Sequence, residues 1–263
     1  MKKLVIALTA LAAFTGSAVA ADLGARPYTK APAPMAPVYS WTGFYIFGGG
    51  GAGLWAADSN VQTFPGAPVA LTRDQRLGGS GWFGTVGIGY DWQFNGRWVA
   101  GIFGDGQFGD IRGSLSDSFL QIEGREKLKT SYAGGVRVGY LVAPNVLSYV
   151  NGGYSGSEWS GTNMSFITGS PTVATTGSFQ RNGWFIGGGV ENNLDFFGIA
   201  APGWFMKTEY RSAFYDRISR PETDIVTGLP TGAAVTFKPW TQTISTSLVY
   251  RFNWGGAPIQ AKY

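Results

Sequence analysis

Apolar and polar side chains alternate residue by residue in several segments of about ten residues. In 204–211, Trp204, Met206 and Tyr210 alternate with the charged Lys207, Glu209 and Arg211. Segments 128–140 and 241–252 show the same period. A period of two residues is typical of a β-strand with one apolar and one polar face. No segment shows the sustained 3.6-residue period of a capped helix, so the pattern predicts an all-β chain.

The alternation predicts eight strands, each long enough for a tilted membrane strand of ~9–11 residues. The strands are 41–54, 80–91, 97–109, 128–142, 146–158, 183–195, 204–215 and 241–252. Short connections at 92–96, 143–145 and 196–203 alternate with long polar ones at 55–79, 110–127, 159–182 and 216–240. This layout predicts a closed antiparallel eight-stranded transmembrane β-barrel with short periplasmic turns and long extracellular loops.

Aromatic residues fall near both ends of these strands, where amphipathic rings would sit at the two bilayer surfaces. The short-turn belt is predicted to hold Trp41, Trp92, Trp98, Tyr140, Trp204, Tyr250, Phe252 and Trp254. The long-loop belt is predicted to hold Trp55, Trp82, Trp159, Trp184, Tyr215 and Trp240. A soluble barrel of the lipocalin type would turn its apolar faces inward and would not explain two belts.

The N-terminal residues predict that the protein is exported from the cytoplasm. Lys2 and Lys3 precede a short apolar run that ends in Ala18-Val19-Ala20, which is the pattern of a cleaved secretory signal peptide over 1–20. Residues 21–40 contain four prolines and are expected to form a Pro-rich periplasmic leader. The barrel is expected to span 41–254, and 255–263 to form a C-terminal tail.

Composition narrows the chemistry. The chain has no cysteine and no histidine, which removes thiolate metal sites, Ser-His catalysis and the commonest zinc ligand. Without Lys2 and Lys3, 18 basic residues face 16 acidic ones, too few and too dispersed for a nucleic-acid surface. We therefore expect a protein that is not an enzyme, with no cofactor, no metal and no nucleic-acid partner.

If the apolar faces meet lipid, the polar faces point into the barrel. The lumen would then hold a charge network of Asp105, Lys129, Arg137, Glu191, Asp195, Lys207, Glu209, Arg211 and Arg251, with Asp91 near the rim. Eight strands enclose an interior just wide enough for side chains to fill. Two interpretations stay open: a plug of paired charges that replaces an apolar core, or a path for ions or small solutes.

The segment Trp41-Thr42-Gly43-Phe44-Tyr45-Ile46 and the end Tyr250-Arg251-Phe252-Asn253-Trp254 resemble those of small alphaproteobacterial outer-membrane proteins, the porin-family and opacity-type surface antigens. The resemblance covers nearly the whole chain. It implies a monomeric eight-stranded barrel in the outer membrane, exposed at the cell surface and without a known reaction. Its partners would be outer-membrane lipid and lipopolysaccharide, with the barrel assembly machinery during insertion.

Together these features predict a surface barrel that contributes to envelope structure. The alternative function is a small diffusion pore or ligand-binding barrel with a charged lumen.

Overall fold

The computed structural model describes residues 40–169 and 171–252. The predicted signal peptide (1–20), the leader up to residue 39, the C-terminal tail (255–263) and Trp254 lie outside the described residues.

Twelve strands make up nearly all of the described chain. They are β1 (Gly43–Ser59), β2 (Val61–Thr63), β3 (Gln75–Phe94), β4 (Trp98–Asp117), β5 (Ile122–Ala143), β6 (Val146–Trp159), β7 (Thr162–Phe166), β8 (Thr172–Thr176), β9 (Phe179–Asn193), β10 (Trp204–Tyr215), β11 (Ile218–Asp224) and β12 (Pro230–Arg251). A 3-10 helix, Leu194–Phe197, follows β9. No helix among the described residues is long and apolar enough to cross a membrane.

Eight of these strands form a closed antiparallel ring in the order β1-β3-β4-β5-β6-β9-β10-β12. The ring closes where β12 pairs with β1, from Tyr45 opposite Arg251 to Asp58 opposite Lys238. Closure leaves the ring without a free edge, which hydrocarbon would not tolerate because it offers no partner to an unpaired N–H or C=O. The predicted eight-stranded barrel is confirmed.

The strands continue well beyond the predicted ones at the end opposite the short turns. There β2, β7, β8 and β11 prolong β1, β6, β9 and β10 after brief interruptions, and β5, β7, β8, β11 and β12 pair in that order. We call this extension the crown and the opposite end the turn end. The crown's connections are 64–74, 118–121, 167–171 and 225–229, so most of the sequence predicted as long loop is strand.

The crown escaped the sequence pattern because its alternation has the opposite sense. In the ring, apolar side chains such as Val136 face outward and charged ones such as Arg137 face inward. In the crown, Leu115 and Ile122 are buried inside, while Arg112 and Arg125 are exposed outside. An outer face that meets water instead of lipid favours polar residues, so the apolar set moves to the interior.

The crown has its own apolar core. Trp55, Trp159 and Phe237 meet edge to face with ring centroids 5.2–5.5 Å apart. Trp55 and Trp159 are therefore inside the barrel, and Tyr215 is buried as well, which corrects their predicted place in an interface belt. Trp41 is buried at the turn end and is likewise wrong as a belt residue.

The other predicted belt residues that the structure describes lie outward or half-exposed on the ring. On three strands the aromatic pairs Trp82 and Trp92, Trp98 and Phe108, and Trp204 and Phe214 are each ten residues apart. Ten residues span about 33 Å along a strand, and a tilt of about 40° projects this to about 25 Å, the height of the apolar band of an outer-membrane barrel.

Candidate functional site

The charged interior of the ring is organised in two clusters. The first lies near the turn end and joins two arginines to two carboxylates. Arg137 donates through Nε to Asp91 Oδ1 (2.9 Å) and through Nη1 to Glu191 Oε2 (3.0 Å). Arg251 donates through Nε to Glu191 Oε1 and through Nη2 to Asp91 Oδ2, both at 2.8 Å. Each arginine thus contacts both carboxylates, and the cluster, supplied by β3, β5, β9 and β12, has no net charge.

Aromatic rings enclose this first cluster. The Arg251 guanidinium lies 4.4 Å from the ring centroid of Trp41, and that of Arg137 lies 4.4 Å from the ring of Tyr45. A guanidinium over an aromatic face is a favourable cation–π arrangement, and more so where water is excluded. The carbonyl oxygen of Trp41 also accepts a hydrogen bond from Arg251 Nη1 (3.3 Å). Trp41 therefore covers the cluster on the side of the turn end.

The second cluster lies in the middle of the ring. Arg211 donates two parallel hydrogen bonds to Asp105, of 2.9 and 2.6 Å, and a third to Glu209 Oε1 at 2.8 Å. The other oxygen of Glu209 accepts from Tyr149 Oη (2.8 Å) and Asn151 Nδ2 (3.0 Å). A bidentate arginine–carboxylate pair is a strong and directional contact.

Lys207 completes the second cluster. Its Nζ lies 3.8 Å from Glu209 Oε2 and 3.3 Å from the ring centroid of Phe47. Because Lys207 and Arg211 balance Asp105 and Glu209, this cluster too has no net charge. A buried ion pair is tolerated when its geometry is good and further hydrogen bonds satisfy the remaining oxygens. Every carboxylate oxygen of the two clusters accepts at least one hydrogen bond, whereas Arg211 Nε has no partner among the described residues.

The clusters contain seven of the nine predicted lumen residues: Asp105, Arg137, Glu191, Lys207, Glu209, Arg211 and Arg251. Lys129 is a correction. A β-bulge between Leu128 and Thr130 shifts the alternation of β5 by one residue, so Lys129 points outward and pairs with the exposed Glu158 at 3.9 Å. Asp195 is the second correction, because β9 ends at Asn193 and Asp195 is exposed in the 3-10 helix.

Three interior residues make hydrogen bonds within the clusters that the sequence did not predict. Asp91, expected near the rim, is fully buried and accepts from both arginines of the first cluster. Tyr149 and Asn151, which hold Glu209, were missed. Both stand at odd positions of β6 together with Ser155 and Ser157, and this polar odd-numbered face is the signal that could have identified them.

The crown interior holds a separate set of ionisable groups. Arg220 reaches Glu126 Oε2 (2.5 Å) and Thr176 Oγ1 (2.7 Å). Burial raises the pKa of Glu126 and lowers the pKa of Arg220. Burial, and next the neighbouring carboxyl of Asp117, raise the pKa of Glu222 from 4.5 to about 8. Glu222 is therefore mostly protonated at neutral pH. No group of three or more Asp, Glu, His or Cys suited to a metal ion occurs among residues 40–169 and 171–252.

No protein-family profile matches the chain. Two curated relatives do: the 31 kDa outer-membrane immunogenic proteins of Brucella melitensis and Brucella suis. Each is 29% identical over 217 residues, which covers 80% of this chain and 85% of the relative. The chain is a small outer-membrane β-barrel protein. The resemblance to alphaproteobacterial outer-membrane surface antigens is thereby confirmed.

Among solved structures, the barrel is similar to the outer membrane protein OprG from Pseudomonas aeruginosa. The match has a TM-score of 0.50 at 10% identity and covers 81% of this chain and 98% of OprG. At that identity the likeness supports the barrel fold alone.

Proposed function

We propose that this barrel is a non-enzymatic surface protein that reinforces the outer membrane and displays its crown outside the cell. The observation that carries the proposal is the pair of neutral, hydrogen-bonded clusters across the barrel interior. Their eight charged groups come from β3, β4, β5, β9, β10 and β12, so side chains tie most of the ring together from within.

The clusters favour a plug over a conducting path. Arg137 is 2% exposed, and Glu191 and Asp91 are fully buried. An ion passing this level would have to separate guanidinium and carboxylate groups, and a buried charge without its partner is strongly unfavourable. Above the clusters, the aromatic core of the crown places a second, apolar layer across the same interior.

Planar-bilayer recording tests the plug. The purified full-length barrel, inserted into a lipid bilayer, is expected to show no stable open conductance. The Glu191→Gln variant, recorded alongside, is expected to be equally closed or to flicker briefly. A stable conductance in the wild type, with an ion selectivity that changes in Glu191→Gln, would overturn the plug in favour of the diffusion pore.

The display of the crown is supported by the curated relatives, which are named immunogenic proteins. The natural chain lacks cysteine, so single cysteines report sidedness cleanly. Val226→Cys, in the crown connection 225–229, should react with a membrane-impermeant maleimide on intact cells. Ala200→Cys, exposed at the turn end, is the matched control and should react only after the outer membrane is permeabilised. The reverse pattern would contradict the proposed orientation.

The outer face just above the upper belt suits lipopolysaccharide. The exposed side chains of Arg76 and Lys238 lie on either side of Asp58 in neighbouring strands, and the Arg76 guanidinium is 5.1 Å from the ring of Trp240. Cationic side chains can bind the phosphate groups of a lipid, and an interface tryptophan beside them lies at the level where its acyl chains begin. The final described strand, β12, ends in Tyr250-Arg251 and is followed by Phe252. This is the segment we expect the assembly machinery to recognise. We expect the inserted barrel to be monomeric.

A further inference from the structure

The crown contains a cavity of about 450 Å³ that neither the plug nor surface display requires. It opens among the strand ends of β7, β8 and β11 and the connections 118–121 and 225–229. Ligand pockets for small molecules fall in the range of about 300–1,000 Å³ and are mostly apolar with a few polar groups. The size and place of this cavity therefore match a binding site at the tip of the barrel.

The floor and walls of the cavity are apolar. Ile122 and Ala174, both almost fully buried, belong to the crown core and form the floor. Phe166 and Leu229 form the walls and remain 43% and 65% exposed. An apolar molecule that covers these exposed walls removes their apolar surface from water, which favours binding.

Three polar residues, Asp224, Thr227 and Thr231, line the same cavity. The two threonine hydroxyls are engaged by the crown: that of Thr227 donates to Asp224 Oδ1 (3.0 Å), and that of Thr231 donates to the Glu222 carbonyl oxygen (3.3 Å). Asp224 Oδ1 also accepts the N–H groups of Val226 and Thr227 at 2.9 and 2.8 Å. None of the hydrogen bonds among the described residues uses Asp224 Oδ2, which leaves an acceptor for a ligand.

The charge of Asp224 sets the polarity of that ligand. The backbone N–H of Thr227, first among its hydrogen-bond donors, lowers the pKa of Asp224, so this side chain is a carboxylate at neutral pH. A carboxylate attracts a hydrogen-bond donor and repels another carboxylate.

We propose that the crown cavity binds a small apolar molecule that carries one hydrogen-bond donor, an amine or an alcohol, and discriminates against apolar carboxylates. The apolar part fills the space between Phe166, Leu229 and the Ile122–Ala174 floor. The donor faces Asp224. The site does not depend on whether the barrel interior conducts, because the cavity lies above both charged clusters.

Two fluorescent probes of the same ring system test this proposal on the full-length barrel in phospholipid nanodiscs. 1-Aminoanthracene carries the donor, and anthracene-1-carboxylate carries the excluded group. The signal from empty nanodiscs is subtracted to remove partition into lipid. The amine is expected to bind saturably, and at least tenfold more tightly than the carboxylate. Equal affinity for the two probes would overturn the proposal.

Variants locate the binding. Leu229→Arg, at the exposed wall, should raise the dissociation constant of the amine at least tenfold. Val226→Arg, on the same connection but outside the cavity and 88% exposed, is the matched control and should leave it unchanged. Asp224→Asn keeps an acceptor for the turn and should reduce the preference for the amine over the carboxylate.

A second wall variant guards against a folding defect. Phe166→Ala shortens a half-exposed side chain and should weaken binding of the amine several-fold in protein that shows the wild-type shift in gel mobility between heated and unheated samples. Unchanged binding in folded Leu229→Arg and folded Phe166→Ala would place the probe elsewhere and would refute the site.

Discussion

Glu191 shows at the scale of a residue why the barrel interior tolerates so many charges. Its two oxygens accept from Arg137 and Arg251, which also share Asp91. Removing the charge of any one member would therefore leave the buried cluster with a net charge. Pairs on the outer surface, such as Lys129 with Glu158, have no comparable constraint because water screens them.

Glu191→Gln should destabilise the barrel by about 3–5 kcal/mol, because two buried guanidinium groups would then share one carboxylate. Glu158→Gln, which removes the exposed partner of Lys129, should change the free energy of unfolding by less than about 1 kcal/mol. Urea titration of the protein in lipid vesicles, followed by tryptophan fluorescence, measures both values. Similar losses in the two variants would contradict the role given to the first cluster.

Val136 lies on β5 next to Arg137 of the first cluster and faces the opposite, outer side of that strand. It lies outward, 58% exposed, midway between Tyr132 and Tyr140. Val136→Arg should cost about 2–4 kcal/mol because the charge would meet the bilayer midplane, whereas Val142→Arg near the turn end should cost about 0–1 kcal/mol. The same urea titration compares them, and a larger loss in Val142→Arg would show that the predicted depth of the strand is wrong.

At the scale of the element, two of the four consecutive glycines of β1, Gly49 and Gly51, are explained by how closely β12 approaches. A methyl group on Gly49 would overlap the Thr246 carbonyl oxygen and lie 2.5 Å from Ser247 Cα, whereas on Gly48 its nearest neighbours would be 3.8 Å away. At Gly49 the inward side of β1 thus has no room for a side chain, whereas at Gly48 the outward side does.

Gly49→Ala should therefore destabilise the barrel by about 1–3 kcal/mol through overpacking against backbone that cannot move aside. Gly48→Ala should be neutral or stabilising by up to about 1 kcal/mol, because alanine restricts the unfolded chain without a clash. The fraction of folded protein on unheated gels and the urea midpoint both report the difference. Equal behaviour of the two alanines would mean that β1 and β12 pack less closely.

The eight ring strands could be predicted because each has a long, regular alternation. Their continuation into the crown could not, since the apolar face changes sides where the solvent changes from lipid to water. In β5 the bulge at Lys129 hides this change because it shifts the alternation by one residue, and the sequence then places Lys129 on the wrong face. Trp41 failed for a related reason: aromatic residues occupy both faces of β1, so neither parity identifies the lipid side.

At the scale of the whole molecule, the ring and the crown differ in the chemistry of their interiors. The ring interior combines two balanced charge clusters with buried aromatic rings such as Phe103 and Phe185, whereas the crown interior has aromatic rings around only a few ionisable groups. Glu222 links the stability of the crown to pH. Because its pKa is about 8 in the folded protein against 4.5 ordinarily, the folded state binds more protons between these values and loses stability as pH rises.

The free energy of unfolding should therefore fall as pH rises from about 4.5 to about 8, by at most about 1.4 kcal/mol per pH unit from this single proton, and the apparent melting temperature should fall with it. Glu222→Gln imitates the neutral acid and should flatten the profile, leaving the smaller contribution of Glu126, whose pKa is raised in the same direction. Thermal unfolding at pH 5, 6.5 and 8 measures it. A variant profile as steep as that of the wild type would exclude Glu222 as the source.

The pairing of β1 with β12 also constrains how the protein is made. The seam that seals the cylinder joins the first strand of the described chain to its last, over fourteen residue pairs. Until β12 has been delivered to the membrane, the edges of the incomplete sheet have unpaired N–H and C=O groups, which lipid cannot satisfy. Closure of the ring therefore cannot precede the delivery of β12, and both edges need shielding until they meet.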